Sequence, residues 1–154
     1  MPRIWHTSCQ IGSNVLVLGG VTNEISRRRT ISVVDIFDLY TESWQQKEMT
    51  GIAPAPGVYM TASVSVEDDL FTFGGFDGRG PDGSEFYNAL HKLKGGSQWI
   101  EVCRHNRKAG FPMAKYGAMM VAYGDNLAVF GGYGIPHRPI QPGSSFESFV
   151  DGEG

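Results

Sequence analysis

The sequence predicts an all-β chain, a β-propeller present as an incomplete arc of about three four-stranded blades. Three observations predict it. Gly19-Gly20, Gly74-Gly75 and Gly131-Gly132 each close a short apolar run: Val15–Leu18, Leu70–Phe73 and Leu127–Phe130. The pairs recur 55 and 57 residues apart. Trp44 lies 24 residues after Gly20, and Trp99 lies 24 residues after Gly75. A double glycine with a fixed-offset tryptophan, recurring at one period, is an internal repeat. Repeats of this length made of short strands build a propeller one blade at a time.

The elements follow once the repeats are aligned on their glycine pairs. First strands are expected at Thr7–Ile11, Met60–Val66 and Gly117–Ala122. A polar turn follows each: Gly12-Ser13-Asn14, Glu67-Asp68-Asp69 and Gly124-Asp125-Asn126. These residue types tolerate positive φ or hydrogen-bond locally. Second strands then run into the glycine pairs. Third strands are expected at Ser32–Phe37 and Tyr87–Leu93, and fourth strands at Ser43–Lys47 and Gln98–Cys103. Each fourth strand carries its tryptophan. The third repeat shows no clear third strand, so two strands followed by irregular chain are expected there. Glycine at the end of a strand removes the side chain where backbone turns sharply or meets its neighbour. Tryptophan supplies a large apolar body with one N–H to satisfy.

This pattern resembles the kelch repeat over essentially the whole chain. The signature residues are Gly19, Gly20, Trp44, Gly74, Gly75, Trp99, Gly131 and Gly132. Phe37-Asp38-Leu39-Tyr40-Thr41-Glu42-Ser43-Trp44 is similar to the family's hairpin between third and fourth strands, and Lys94-Gly95-Gly96-Ser97-Gln98-Trp99 is a shorter version. The resemblance implies that the tryptophans pack between adjacent blades.

The spacing also places boundaries. Blade one is expected over 1–50, blade two over 51–107 and an incomplete blade three over 108–154. A third tryptophan would fall at position 156, two residues past Gly154. Propellers close with about four or more blades. The chain therefore reads as a piece of a longer propeller, or as one completed by another copy or a partner.

Composition narrows the function classes. The net charge of −3 is mild, which argues against a dedicated nucleic-acid binder. Cys9 and Cys103 form neither a disulfide framework nor a zinc pattern and read as two strand thiols. No Asn-x-Ser/Thr sequon occurs, the apolar run at Val15 is too short for a signal peptide, and no run can span a membrane as a helix. The cytoplasm or nucleus is the expected location, with no membrane partner.

Function is expected on one face. Loops joining strands two and three, and strand four to the next blade, emerge together because strands alternate in direction. They span 21–31, 48–59, 76–86, 104–115 and 133–149 and are long. Long loops on a rigid scaffold are where binding concentrates. Of the 13 Lys and Arg residues, nine fall there: Arg27, Arg28, Arg29, Arg79, Arg104, Arg107, Lys108, Lys115 and Arg138. The candidate partner-binding residues are Arg79, Arg104, His105, Arg107, His137 and Arg138. Such a face suits an acidic peptide, a phosphorylated segment or a chain-terminal carboxylate. The plainer reading is a solvated polar loop, since Asp77, Asp82 and Glu85 lie among the bases. Arg27-Arg28-Arg29-Thr30 fits a basophilic kinase site, and a short basic cluster can also contact nucleic acid or act in nuclear import, but three basic residues are few and a solvated loop is the better reading. The short turns carry Asp38, Glu42, Glu67, Asp68, Asp69 and Asp125.

The leading reading is a non-enzymatic protein-interaction scaffold without cofactor or metal. The resemblance admits a ubiquitin-ligase substrate receptor with a cullin adaptor as partner. The alternative is a fragment of a catalytic kelch propeller, similar to copper radical oxidases or iron-dependent specifier proteins. His6, His91, His105 and His137 are dispersed and match no close metal spacing.

Overall fold

The structure is a computed structural model that describes residues 2–21, 32–78, 86–104 and 111–134, with the backbone pairing of 146–150. Every element among the described residues is a strand. Blade one is an antiparallel sheet of β1 (Thr7–Ile11), β2 (Asn14–Leu18), β3 (Val33–Asp38) and β4 (Ser43–Glu48), paired in that order. A short strand β5 (Thr50–Gly51) follows. Blade two pairs β6 (Ala62–Val66), β7 (Asp69–Phe73), β8 (Leu90–Lys94) and β9 (Gln98–Cys103) in order. Blade three holds β10 (Lys115–Tyr123), β11 (Asn126–Gly134) and β12 (Phe146–Val150). Strand β6 lies against both β1 and β10, so first strands form the narrow inner side of the arc. The tryptophan-bearing β4 and β9 lie on the outer side, with β5 paired along the outside of β9.

Period-2 alternation sends successive side chains to opposite neighbours. Leu16, Leu18, Val34 and Ile36 of blade one meet Leu70, Leu93 and Trp99 of blade two, with Met49 and Val58 from the connection. The opposite face of blade two gives Ala62, Phe73 and Leu90 to Met120 and Val129 of blade three. Each large side chain so buried contributes about 1.5–3 kcal/mol. The two inter-blade seams are thus the hydrophobic cores.

Backbone polar groups also bind the blades together. Met60 N–H donates to Trp5 O at 3.0 Å, and Gly117 N–H donates to Met60 O at 2.9 Å. Trp5, Met60 and Gly117 stand one repeat apart and all have positive φ, at 60°, 57° and 65°. In blade two the strand β6 begins at Ala62, later than expected and after the kink at Met60, whereas β10 runs on through Gly117, where glycine takes positive φ without steric cost. The second glycines have a steric reason to be glycine. A Cβ would stand 2.8 Å from Ile4 O at Gly20, 3.1 Å from Tyr59 O at Gly75, and 2.8 Å from Tyr116 O at Gly132.

Four differences from the sequence reading have physical causes. Strand β12 exists and pairs antiparallel with β11, Phe146 opposite Phe130 and Val150 opposite Asn126. Phe146-Glu147-Ser148-Phe149-Val150 lacks strict alternation, so its pattern did not announce a strand. Strand β5 pairs parallel with β9, Thr50 beside Gln98 and Gly51 beside Trp99, giving blade two a fifth strand from the chain leaving blade one. Trp44 is not packed between blades but 64% exposed, whereas Trp99 is 1% exposed. Lys115 is not a loop cation: it opens β10, is 6% exposed, and its backbone N–H donates to Tyr87 O.

Candidate functional site

The residue after each glycine pair stands opposite the residue that precedes the kink into the first strand. The pairs are Ile4 with Val21, Tyr59 with Phe76, and Tyr116 with Tyr133. In blade one the pair is aliphatic; in blades two and three it is aromatic. Phe86 joins the second pair through its own bridge to Phe76. All lie where the long connections leave the sheets.

The result is a continuous belt of six rings. Trp5 stacks on Tyr59 at 5.4 Å, and Tyr59 meets Phe76 edge-on at 5.6 Å. Phe76 touches Phe86 at 5.1 Å and Tyr116 at 5.3 Å. Phe86 stacks on Tyr116 at 5.4 Å, and Tyr133 closes the row against Tyr116 at 5.6 Å. Such pairs contribute about 0.5–1.5 kcal/mol each beyond burial. Trp5 and Tyr133 are exposed, while the four rings between them are half-buried. The belt is therefore a rigid apolar strip with phenol hydroxyls, crossing the arc on its long-connection side.

Polar groups fix its base. Tyr87 OH donates to Asp77 Oδ2 at 3.3 Å, and Asn88 Nδ2 donates to Pro112 O at 2.7 Å. Asp77 and Asn88 are fully buried. Asp77 is thus no surface acid offsetting the basic loops, as its sequence position suggested. Gly78 abuts the Tyr59 hydroxyl, where any side chain would collide.

Of the candidate partner-binding residues, the structure describes Arg104 alone. It is exposed at the end of β9, and its Nε donates to Glu101 Oε2 at 2.9 Å. An exposed pair of this kind contributes little to stability. Arg79, His105, Arg107, His137 and Arg138 lie outside the described residues, as do Arg27, Arg28, Arg29, Lys108, Asp82 and Glu85. The aromatic belt is the feature of this face that the charge-based reading missed. Its signal was present: an aromatic follows two of the three glycine pairs, and a tyrosine lies a fixed distance before two first strands.

Other titratable groups are structural. Burial pushes the Cys9 thiol up to about 11, and burial with the Glu101 charge raises Cys103. Both cysteines are free. Burial lowers the His91 pKa, partly opposed by Glu101 across the strand pair. Asp38 is held low by the N–H groups of Thr41 and Tyr40, which cap the outer hairpin of blade one. Among the described residues no cluster of three His, Cys, Asp or Glu side chains could hold a metal ion, and no helix could cross a membrane.

Repeated blades, paired glycines under carbonyl oxygens and inter-blade cores define a kelch-repeat propeller. The chain belongs to the KLHDC2/KLHL20/DRC7 Kelch-repeats domain family, whose sequence profile matches residues 5–143. It is 29% identical over 137 residues to the Rab9 effector protein with kelch motifs of Bos taurus, covering 86% of this chain and 34% of that protein. It is 27% identical over 122 residues to Acyl-CoA-binding domain-containing protein 5 of Arabidopsis thaliana, covering 79% of this chain and 17% of that one. The chain thus spans about a third or less of these relatives' length. Among solved structures, that of YjhT superposes with a TM-score of 0.62 at 18% identity, covering 87% of this chain and 35% of YjhT. That likeness supports the fold alone.

Proposed function

We propose that this chain is a non-enzymatic interaction module that seats a protein or peptide segment along the belt from Trp5 to Tyr133. The observation that carries this reading is the belt itself: six touching rings on the face of the long connections, exposed at both ends. Aromatic residues with a polar tip are enriched among the residues that dominate interface energies. Relatives named as effector proteins support a protein partner. The basic residues that the sequence places in the long connections favour an acidic or phosphorylated segment. The free cysteines fit work in the cytosol or nucleus. A role as ubiquitin-ligase receptor rests on analogy at the level of fold, and co-purification of a cullin with the chain tests it.

The test is selection of displayed peptides against the chain, followed by titration against Trp5→Ala and Tyr133→Ala. Both side chains are exposed, so both variants keep the fold. Each is expected to weaken binding by about tenfold or more. Selected peptides that bind both variants as tightly as the parent would place the site elsewhere.

A further inference from the structure

The backbone of the aromatic belt is already paired. Ile4 and Val21 exchange N–H···O bonds of 3.0 and 2.9 Å, and Tyr59 and Phe76 exchange two of 3.0 Å. Tyr116 and Tyr133 stand opposite one another inside the β10–β11 ladder. Trp5 O accepts from Met60 N–H. Strand addition works through main-chain hydrogen bonds at a free sheet edge, so that mode of recognition is closed along the belt. Recognition falls to the side chains.

Those side chains offer apolar rings and hydrogen-bond donors, and none of the six carries a charge. Along the row Tyr59, Phe76, Tyr116 and Tyr133 the ring centres stand 5.6, 5.3 and 5.6 Å apart. Phe86 lies beside this row, 5.4 Å from Tyr116 and 6.1 Å from Tyr133. Every ring from Tyr59 to Tyr133 thus touches at least two others, which holds the strip rigid. The Trp5 indole N–H and the Tyr116 and Tyr133 hydroxyls have no hydrogen-bond acceptor among the described residues, and none of the three is sealed from solvent.

Apolar faces with donors at intervals complement a chain that brings apolar rings and unspent carbonyl oxygens. Helices and strands spend their carbonyls on their own N–H groups or on a neighbour's. A polyproline II segment has no internal hydrogen bonds, and proline has no N–H to satisfy. Such a segment advances about 3.1 Å per residue, or about two residues for each ring of the row. Its conformation is largely set before binding, so a rigid strip seats it at little ordering cost. Resting on the reading of the belt as a peptide seat, we propose that the segment it takes is proline-rich and in the polyproline II conformation. Prolines lie against the ring faces, and backbone carbonyls accept from Trp5 Nε1 and from the hydroxyls of Tyr116 and Tyr133.

Sequencing the peptides that a random displayed library yields on the full chain tests this. Proline is expected to be strongly enriched among them. Replacing the prolines of a selected peptide by alanine is expected to weaken it by about tenfold. Tyr133→Phe removes one hydroxyl and keeps the ring, and is expected to weaken the same peptides by about three- to tenfold. Trp5→Ala identifies the peptides that use the belt. If those peptides show no proline enrichment, or bind Tyr133→Phe as well as the parent, the belt remains the seat and the polyproline assignment is overturned. Peptides indifferent to both Trp5→Ala and Tyr133→Ala would overturn the seat and the assignment together.

Discussion

Trp44 and Trp99 occupy the same position in successive repeats, yet one is 64% exposed and the other 1%. Trp99 lies in the seam with Leu16, Leu18, Val34 and Ile36, the flank of blade one. Trp44 lies on the flank of blade one turned away from that seam, where its ring leans on Phe37 of the same blade and is otherwise largely exposed. The same residue type is core in one blade and surface in the next because a blade's face is completed by its neighbour. Truncating Trp99 is therefore expected to cost about 3–5 kcal/mol. Trp44→Ala is expected to cost under about 1 kcal/mol, because the side chain is mostly exposed. Urea unfolding of the two variants measures the contrast, and equal losses would contradict the assignment of the seams.

The glycine pairs are expected to differ from the turn glycines in tolerance. Gly75 has φ of 103°, and a Cβ there would stand 2.8 Å from Thr61 Cγ2 and 3.1 Å from Tyr59 O. Gly12 has φ of 55° with nothing within 4 Å. Gly12→Ala carries the backbone strain alone, about 1 kcal/mol. Gly75→Ala adds overpacking of about 1–3 kcal/mol. Thermal melts of both variants test the order, and a milder Gly75→Ala would count against the close approach.

Glu67 is a stabilising target. It holds φ of 52° at the turn position filled by Gly12 and Gly124 in the other repeats. Left-handed backbone costs a residue with a Cβ about 1–2 kcal/mol, and glycine's extra freedom in the unfolded chain returns part of it. Glu67→Gly is expected to raise stability by about 0.5–1 kcal/mol, read as a higher denaturation midpoint at unchanged slope. A lower midpoint would mean the carboxylate makes an interaction worth more than the strain.

Much of the fold was legible because glycine pairs and turn residues act through local backbone geometry. Strand β9 begins and ends at Gln98 and Cys103 as the pattern implied, and β1 at Thr7 and Ile11. What escaped depends on distant chain. Strand β5 exists because Thr50 and Gly51 meet Gln98 and Trp99 of the following blade. The burial of Lys115 and Asp77 is likewise set by neighbouring strands, so their formal charges misled the reading of the long-loop face. The aromatic belt was legible in principle from Tyr59, Phe76, Tyr116 and Tyr133 at matched repeat positions. Attention to charge hid it, and most of the charged candidates lie outside the described residues.

His91 gives the seam a pH dependence. Burial lowers its pKa below the ordinary 6.5, so the unfolded chain takes up the proton first. The neutral imidazole's contribution is fully present above about pH 6.5 and is lost as pH falls through the lowered value. Asp38, lowered by its turn N–H groups, acts in a separate window below its ordinary 3.8. Asp69 acts there too: burial raises its pKa, but Lys92, the Gly95 N–H and the Lys94 charge bring it down on balance. Unfolding free energy should hold level above about pH 6.5 and fall as the pH drops below it, and His91→Gln should flatten that slope. An unchanged slope in the variant would assign the dependence to other groups.

The central claim is that partners bind along the belt on the long-connection face. The most direct measurement is the amide NMR spectrum of the chain titrated with a selected peptide. Resonances of Trp5, Tyr59, Phe76, Tyr116 and Tyr133 are expected to move, and those of Gly12, Asp68 and Gly124 on the opposite turns to stay. Movement confined to those turns, with the belt unperturbed, would contradict the account.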